Sequence, residues 1–313
     1  YEWLAIIKNT TGAVEKWYII NSLNGANKYH TWQSAVQATD ANVMTVSGTT
    51  FTLGSTLGAK NYLVEIHKAG LSSAKAANEE GATNTIATTV NLVSGFGMSE
   101  FTGTGSNTTV GHGMDIAPAL TIPNNNTIAD GHYVLHTGTG DPDLRLNIGT
   151  TQAAADDAAN FNGSYPSATV ISLGTADRTN KSGSNIVLYY WHSVAGYSAF
   201  GSYTGNNSAD GPMINMGGSP NSWFTKRIDS ADTWQLVDVA VPDNDFNIVE
   251  ERLSINATSI ASSTAAMVWD RLSNGWKVRG NDSGFNANNG TYIYGAWGGT
   301  PLTDGAINQG RAK

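Results

Sequence analysis

The feature that most constrains this chain is internal repetition at a spacing of roughly a hundred residues. The stretch VSGFGMSEFTGTGSNTTVGHGMDIAPALTI from Val93 aligns with VAGYSAFGSYTGNNSADGPMINMGGSPNSWF from Val194, placing Gly95 on Gly196, Phe101 on Tyr203, Gly111 on Gly211 and Pro118 on Pro220. Glycine and proline set backbone geometry and aromatics fill cores, so their joint recurrence marks one structural unit used again. A second block occurs three times, as an apolar strand, a Gly/Asn turn and an aromatic strand: 51–54 leading to 61–66, 170–174 leading to 186–191, and 275–280 leading to 291–297. A third block mirrors Trp3 and Trp17 in Trp223 and Trp234. We divide the chain into repeats at 1–92, 93–193 and 194–313, the first copy lacking its opening strands.

Within a copy, 234–241 and 132–136 alternate apolar and polar residues at period two, the pattern of half-buried strands. Asn24-Gly25, Asp130-Gly131, Asp210-Gly211, Asn274-Gly275 and Asn289-Gly290 separate them as tight-turn dipeptides. About seven or eight short strands per hundred residues suit a two-sheet antiparallel sandwich. The predicted fold is therefore all-β, tandem antiparallel β-sandwich repeats of jelly-roll type with little helix. The helical candidates are 71–80 and the alanine-rich 151–160.

Composition closes off several functions. There is no cysteine, which removes disulfides, thiolate metal sites and cysteine nucleophiles. A net charge of −8 and a pI near 5.1 argue against nucleic acid as a partner. No apolar run approaches the length of a membrane-spanning helix.

Candidate chemistry is thin. His132 and His136 share a strand face, and with His112 they make three zinc-type ligands, but the other copies hold no matching histidines, which favours structural roles. Asp141 and Asp143 lack the ordered oxygen spacing of a calcium loop and read as a solvated turn. The adjacent pairs Glu79-Glu80, Asp156-Asp157 and Glu250-Glu251 cannot flank a sugar as a glycosidase dyad does. No nucleophile elbow or phosphate-cradling glycine motif occurs in a strand-turn-helix context. No catalytic residue, metal ligand or cofactor is predicted, and the chain reads as a non-enzyme. Aromatic rings offer stacking surface for sugars. Trp3, Trp17, Trp223 and Trp234 recur at repeat positions as core residues would, whereas Trp32, Trp191 and Trp269 lack counterparts and are the candidates for glycan contact.

Three strings carry a family resemblance: FTGTGSNTTVGHGMDIAP from Phe101, WHSVAGYSAFGSYTGNNSADGP from Trp191, and LSNGWKVRG from Leu272 followed by GTYIYGAW from Gly290. They resemble a family of repeated β domains of unassigned activity found in tail-fibre-like and other virion proteins of marine and cyanobacterial bacteriophages. The resemblance implies a virion structural protein in a tail fibre, head fibre or capsid decoration, placed on an extracellular particle. It implies partners in other copies of the chain, trimeric by the fibre analogy, in other virion proteins, and in a host-surface glycan or receptor. A carbohydrate-binding module or adhesin is the alternative, followed by a polysaccharide-degrading tail spike.

Overall fold

Three strands set the architecture because they are apolar on both faces. WLAIIKN at 3–9, NIVLYYW at 185–191 and TYIYGAW at 291–297 place large side chains at successive positions, so each needs cover from two sides. The computed structural model describes residues 2–12, 14–70, 76–129, 131–241, 247–264 and 266–299. They form three lobes, each a main antiparallel sheet with a small ribbon on its outer face.

Lobe 1 comprises β1 (Trp3–Asn9), β2 (Tyr18–Asn21), β3 (Lys28–Thr31), β4 (Ser34–Thr39), the hairpin β5 (Met44–Ser47) and β6 (Thr50–Leu53), and β7 (Tyr62–Lys68), with sheet order β4-β3-β2-β1-β7. Lobe 2 adds β8 (Ala87–Asn91), β9 (Phe96–Thr102), β10 (Thr108–Gly111), β11 (Leu120–Asn125), β12 (Tyr133–His136), β13 (Leu144–Asn147), β14 (Ala155–Asp156), β15 (Val170–Leu173), the one-turn helix α1 (Asp177–Asn180) and β16 (Asn185–Trp191). Its sheet runs β14-β13-β12-β11-β16-β9-β8, with the ribbon β10-β15. Lobe 3 contains β17 (Ser198–Thr204), β18 (Met213–Asn215), β19 (Ser222–Arg227), β20 (Gln235–Asp238), β21 (Glu251–Ser254), β22 (Ser262–Ser263), β23 (Trp269–Leu272), β24 (Gly275–Val278), α2 (Ser283–Asn286) and β25 (Thr291–Trp297). Its sheet runs β17-β25-β19-β20-β21-β22, with the ribbon β18-β24-β23.

The strand orders superimpose. β7, β16 and β25 each pair antiparallel with β1, β11 and β19, and the registers place His67 opposite Leu4, Trp191 opposite Leu120 and Trp297 opposite Ser222. Local geometry repeats as well. Gly95 and Gly196 both take positive φ, 66° and 75°, just ahead of β9 and β17. A Cβ on Gly95 would come 2.6 Å from His192 O, so that turn needs glycine twice over. Buried Asn180 bonds through Nδ2 to Gly174 O and Ser106 O, and buried Asn286 does the same to Gly280 O and Ser208 O. Each thereby ties the opening segment of its lobe to the loop before the last strand. The ribbon pairings move one aligned position: Gly111 lies opposite Val170, whereas Ile214 lies opposite Trp276, which puts Gly111 level with Ile214 and not with Gly211.

The lobes are not self-contained sandwiches stacked end to end. The largest apolar cluster draws Leu4, Ile6 and Trp17 from lobe 1, Ile122, Val187 and Tyr189 from lobe 2, and Phe224, Trp234 and Ile293 from lobe 3. Each main sheet turns one face to this common core and the other to its own ribbon, where a private cluster forms around Ile7 and Leu57, around Ile171 and Tyr190, or around Trp223 and Trp276. Full burial of each large apolar side chain contributes about 1.5–3 kcal/mol, so much of the stability rests on the shared core.

Neither helix candidate is helical where it is described. Residues 71–75 lie outside the described residues, and Ala76 bridges to Thr88 as extended chain. The stretch 151–160 gives its backbone to lobe 3: Thr151 O accepts from Lys226 Nζ and Asp232 N, Ala154 N donates to Ile228 O, and Ala155 joins β14. Inter-lobe hydrogen bonds override alanine's helix propensity there. Among the described residues no helix is long and apolar enough to cross a membrane.

Candidate functional site

The seams between lobes are where polar chemistry is buried, and they follow one cyclic rule. The residue just before each lobe's second sheet strand reaches the end of the third strand of another lobe. Trp17 Nε1 donates to Ser254 O at 3.0 Å and Trp234 Nε1 to Asn147 O at 3.1 Å. His132 takes the equivalent place in lobe 2 and packs edge-on against Trp32 of lobe 1, with ring centroids 5.4 Å apart. Two lysines repeat another contact. Lys8 Nζ bonds to Glu15 O at 2.5 Å and Thr258 O at 2.9 Å, while Lys226 Nζ bonds to Asp232 O at 2.8 Å and Thr151 O at 3.1 Å. Burial lowers both ammonium groups to about 8, partly offset by Glu15 for Lys8 and Asp232 for Lys226. Such head-to-tail contacts close on themselves after three steps, as they do in a cyclic trimer, here within one chain.

The last residue of each second strand makes the next set of contacts. Asn21 Nδ2 donates to Tyr189 OH at 2.8 Å, and His136 Nε2 to Tyr294 O at 3.0 Å. At the third seam the pair is Asp238 and Glu65, two carboxyl groups hydrogen-bonded to each other. Ser222 Oγ donates to Glu65 Oε1 at 2.5 Å. Burial, and then the charge of Asp238, push the Glu65 carboxyl up to about 8, and burial also raises Asp238. Like charges at this distance cannot both ionise in a dry seam, so the pair holds a proton. Arg271, anchored on Pro220 O and Asn221 Oδ1, favours the charge on Asp238.

Glu65 and His67 also line a cavity of about 50 Å³ at the meeting of the lobes, with Trp17, Trp191, Phe224 and Trp297 around it. The rings of His67, Trp191 and Trp297, one from the last strand of each lobe, surround the pseudo-threefold axis with centroids 5.5, 5.3 and 6.3 Å apart. Burial lowers His67 to about 4, so it is neutral there. The volume suits a water or two and excludes a sugar ring.

The residues singled out from the sequence take other places. Trp32, Trp191 and Trp269 are 3%, 3% and 1% exposed and pack in the cores, so they present no face to a glycan. Two of them also have counterparts: Trp191 in Trp297 and His67, and Trp32 in Ile148 and Ile255, which follow β13 and β21 as Trp32 follows β3. His112, His132 and His136 do not converge. His112 Nε2 faces Ser167 O, His132 Nε2 faces Asn124 Oδ1, and His136 accepts Gly138 N on Nδ1 while Nε2 faces Tyr294 O. Burial lowers all three below the ordinary histidine range, His132 to about 3 and His136 to about 4. Among the described residues no three His, Cys, Asp or Glu are grouped as a metal would need. Asp141 Oδ1 accepts Asp143 N in a turn.

Sequence reasoning missed Glu65, His67 and Asp238. The available signal was polarity inside apolar strands, YLVEIHK at 62–68 and QLVD at 235–238, but neither shows that the two strands meet.

Neither a curated protein nor a solved structure matches the chain. One family model, described as "Domain of unknown function (DUF7483)", matches residues 3–301, and so runs through all three lobes. The unit so defined coincides with the unit that shares a core, and the chain belongs to this DUF7483 family.

Proposed function

We propose that this protein is a structural component of a bacteriophage particle, in a tail fibre, head fibre or capsid decoration, and that its outer loops contact the host surface. The observation that carries this reading is the interlocking of three equivalent lobes around one core. Each seam is held by buried hydrogen bonds, a build suited to a rigid, long-lived extracellular scaffold. The strings at Phe101, Trp191 and Leu272 add the family likeness described above. A chain with three lobes around an axis also fits on a threefold-symmetric fibre without needing three copies, and self-association beyond that belongs to the proposal. The reading includes no catalytic step: the unusual carboxyls serve a seam, beside a cavity too small for a saccharide. Mass spectrometry of purified particles of the encoding phage, with gold-labelled antibody imaging, tests it. We expect the chain in intact particles at a fixed copy number and a discrete position; its confinement to lysed cells or the free soluble fraction would overturn the reading.

A further inference from the structure

Lobe 1 differs from the other two in one respect that bears on its partners. In lobe 2 the last strand, β16, is flanked by β11 and by β9, which pairs with it over seven residues. In lobe 3, β25 sits likewise between β19 and β17. In lobe 1, β7 pairs with β1 alone, and among the described residues no strand lies along its other edge. The ribbon layer repeats the difference: β15 pairs with β10 and β24 with β18, but β6 has only its hairpin partner β5.

Side chains mark the same gap. Ile66 is 38% exposed, whereas its counterparts Tyr190 and Ala296 are fully buried. Leu53 of β6 is 37% exposed, whereas its lobe 2 counterpart Leu173 is fully buried; in lobe 3 the position holds a charged residue, the exposed Arg279. The exposed Leu92 and Val93 sit in the turn that Asn91 and Ser94 bond to Lys68 O, at the end of β7. An open strand edge flanked by exposed apolar residues is a template for strand addition.

We infer that β7 and β6 together form a docking edge for a two-stranded segment built like β9–β10 and β17–β18. Its first strand runs antiparallel along β7 and its second along β6. The first strand carries large apolar side chains toward the axial core, where lobe 2 has Phe96 and Met98 and lobe 3 has Phe200. Toward the ribbon it carries an aromatic, as Phe101 and Tyr203 do. The occupant comes in cis, because in lobes 2 and 3 the pair stands directly before the strand equivalent to β1, joined by the short connections 112–119 and 216–221.

The test uses the chain's own segments as probes. Residues 196–218, or separately 95–116, are placed directly before Tyr1, and hydrogen exchange is followed in β6 and β7. The proposal predicts that at least one extension slows exchange there about tenfold or more, that a scrambled extension does not, and that Ile66→Asp in the extended chain reverses the gain. If both extensions leave β6 and β7 unchanged while the rest of the chain keeps its protection, the proposal is overturned. It is also overturned if β7 in the unextended chain is already as protected as β16. Protection by the free 196–218 peptide without protection by the fused copy would overturn the assignment in cis.

Discussion

Glu65 gives the account its sharpest handle on pH. Its carboxyl holds a proton up to about 8 in the folded protein against an ordinary value of 4.5, because burial and Asp238 disfavour its charge. The folded state therefore binds more protons than the unfolded state between those values, and stability falls as pH rises through that window and levels off above it. The buried histidines run the other way. His67, His132 and His136 are lowered to about 4, 3 and 4, so they favour folding increasingly as pH rises towards 6.5 and add nothing beyond it. Lys8 and Lys226, lowered to about 8, start to lose protons as that pH is approached and add stability as pH rises further, opposite in sign to Glu65. The interval from about 6.5 to 7.5 is therefore the one in which the carboxyl pair dominates. At ~1.4 kcal/mol per decade of pH it costs on the order of 1 kcal/mol. Urea unfolding at pH 6.5 and 7.5 should show this loss in the natural sequence, and Glu65→Gln should abolish it while leaving the acid limb intact. Parallel losses in both proteins would refute the shared proton at this seam.

Other substitutions report on the remaining contacts. Trp234→Ala should cost about 3–5 kcal/mol in urea unfolding, since it empties part of the common core and frees the buried Asn147 carbonyl. Lys8→Met and Lys226→Met each strip two inter-lobe or seam carbonyls of their donor, and each should cost about 1–3 kcal/mol. Because they occupy different seams, the double variant should be additive within about 0.5 kcal/mol, and a large coupling would contradict the cyclic arrangement. Gly95→Ala should lower the melting temperature, because its positive φ and the 2.6 Å approach to His192 O leave no room for a methyl group, whereas Ala195→Gly next to the matching turn should be much milder.

The strand blocks were legible in the sequence for a physical reason. Gly95 and Gly196 mark the same turn, Gly54, Gly174 and Gly280 mark the same close approach before the last strand, and their backbone demands leave only glycine. A Cβ at the latter three would fall about 2 Å from a carbonyl, of Asn42, Ala159 or Ala266. Which surface covers each strand was not legible. Period-two alternation shows that Ile6, Ile122 and Phe224 face inward, but it is the same whether the cover is the lobe's own second sheet or two other lobes. Continuous apolar runs such as IVLYY in β16 do signal burial on both faces, and that hint pointed to a third layer. Trp32 looked unmatched because its counterparts are Ile148 and Ile255, which share a position but not a residue type, whereas Trp191 has a tryptophan counterpart in Trp297 and only its lobe 1 counterpart, His67, differs in type. The meeting of Glu65 with Asp238 joins residues from opposite ends of the chain, a contact that no local pattern encodes.

The most direct measurement concerns the common core. Hydrogen exchange can be read on peptides from β1, β16 and β25 across a urea titration, one strand from each lobe. A core shared by three lobes predicts that the slowest amides of all three strands lose protection at one urea concentration with one free energy. Three separable transitions, or one lobe retaining protection after the others have opened, would contradict it.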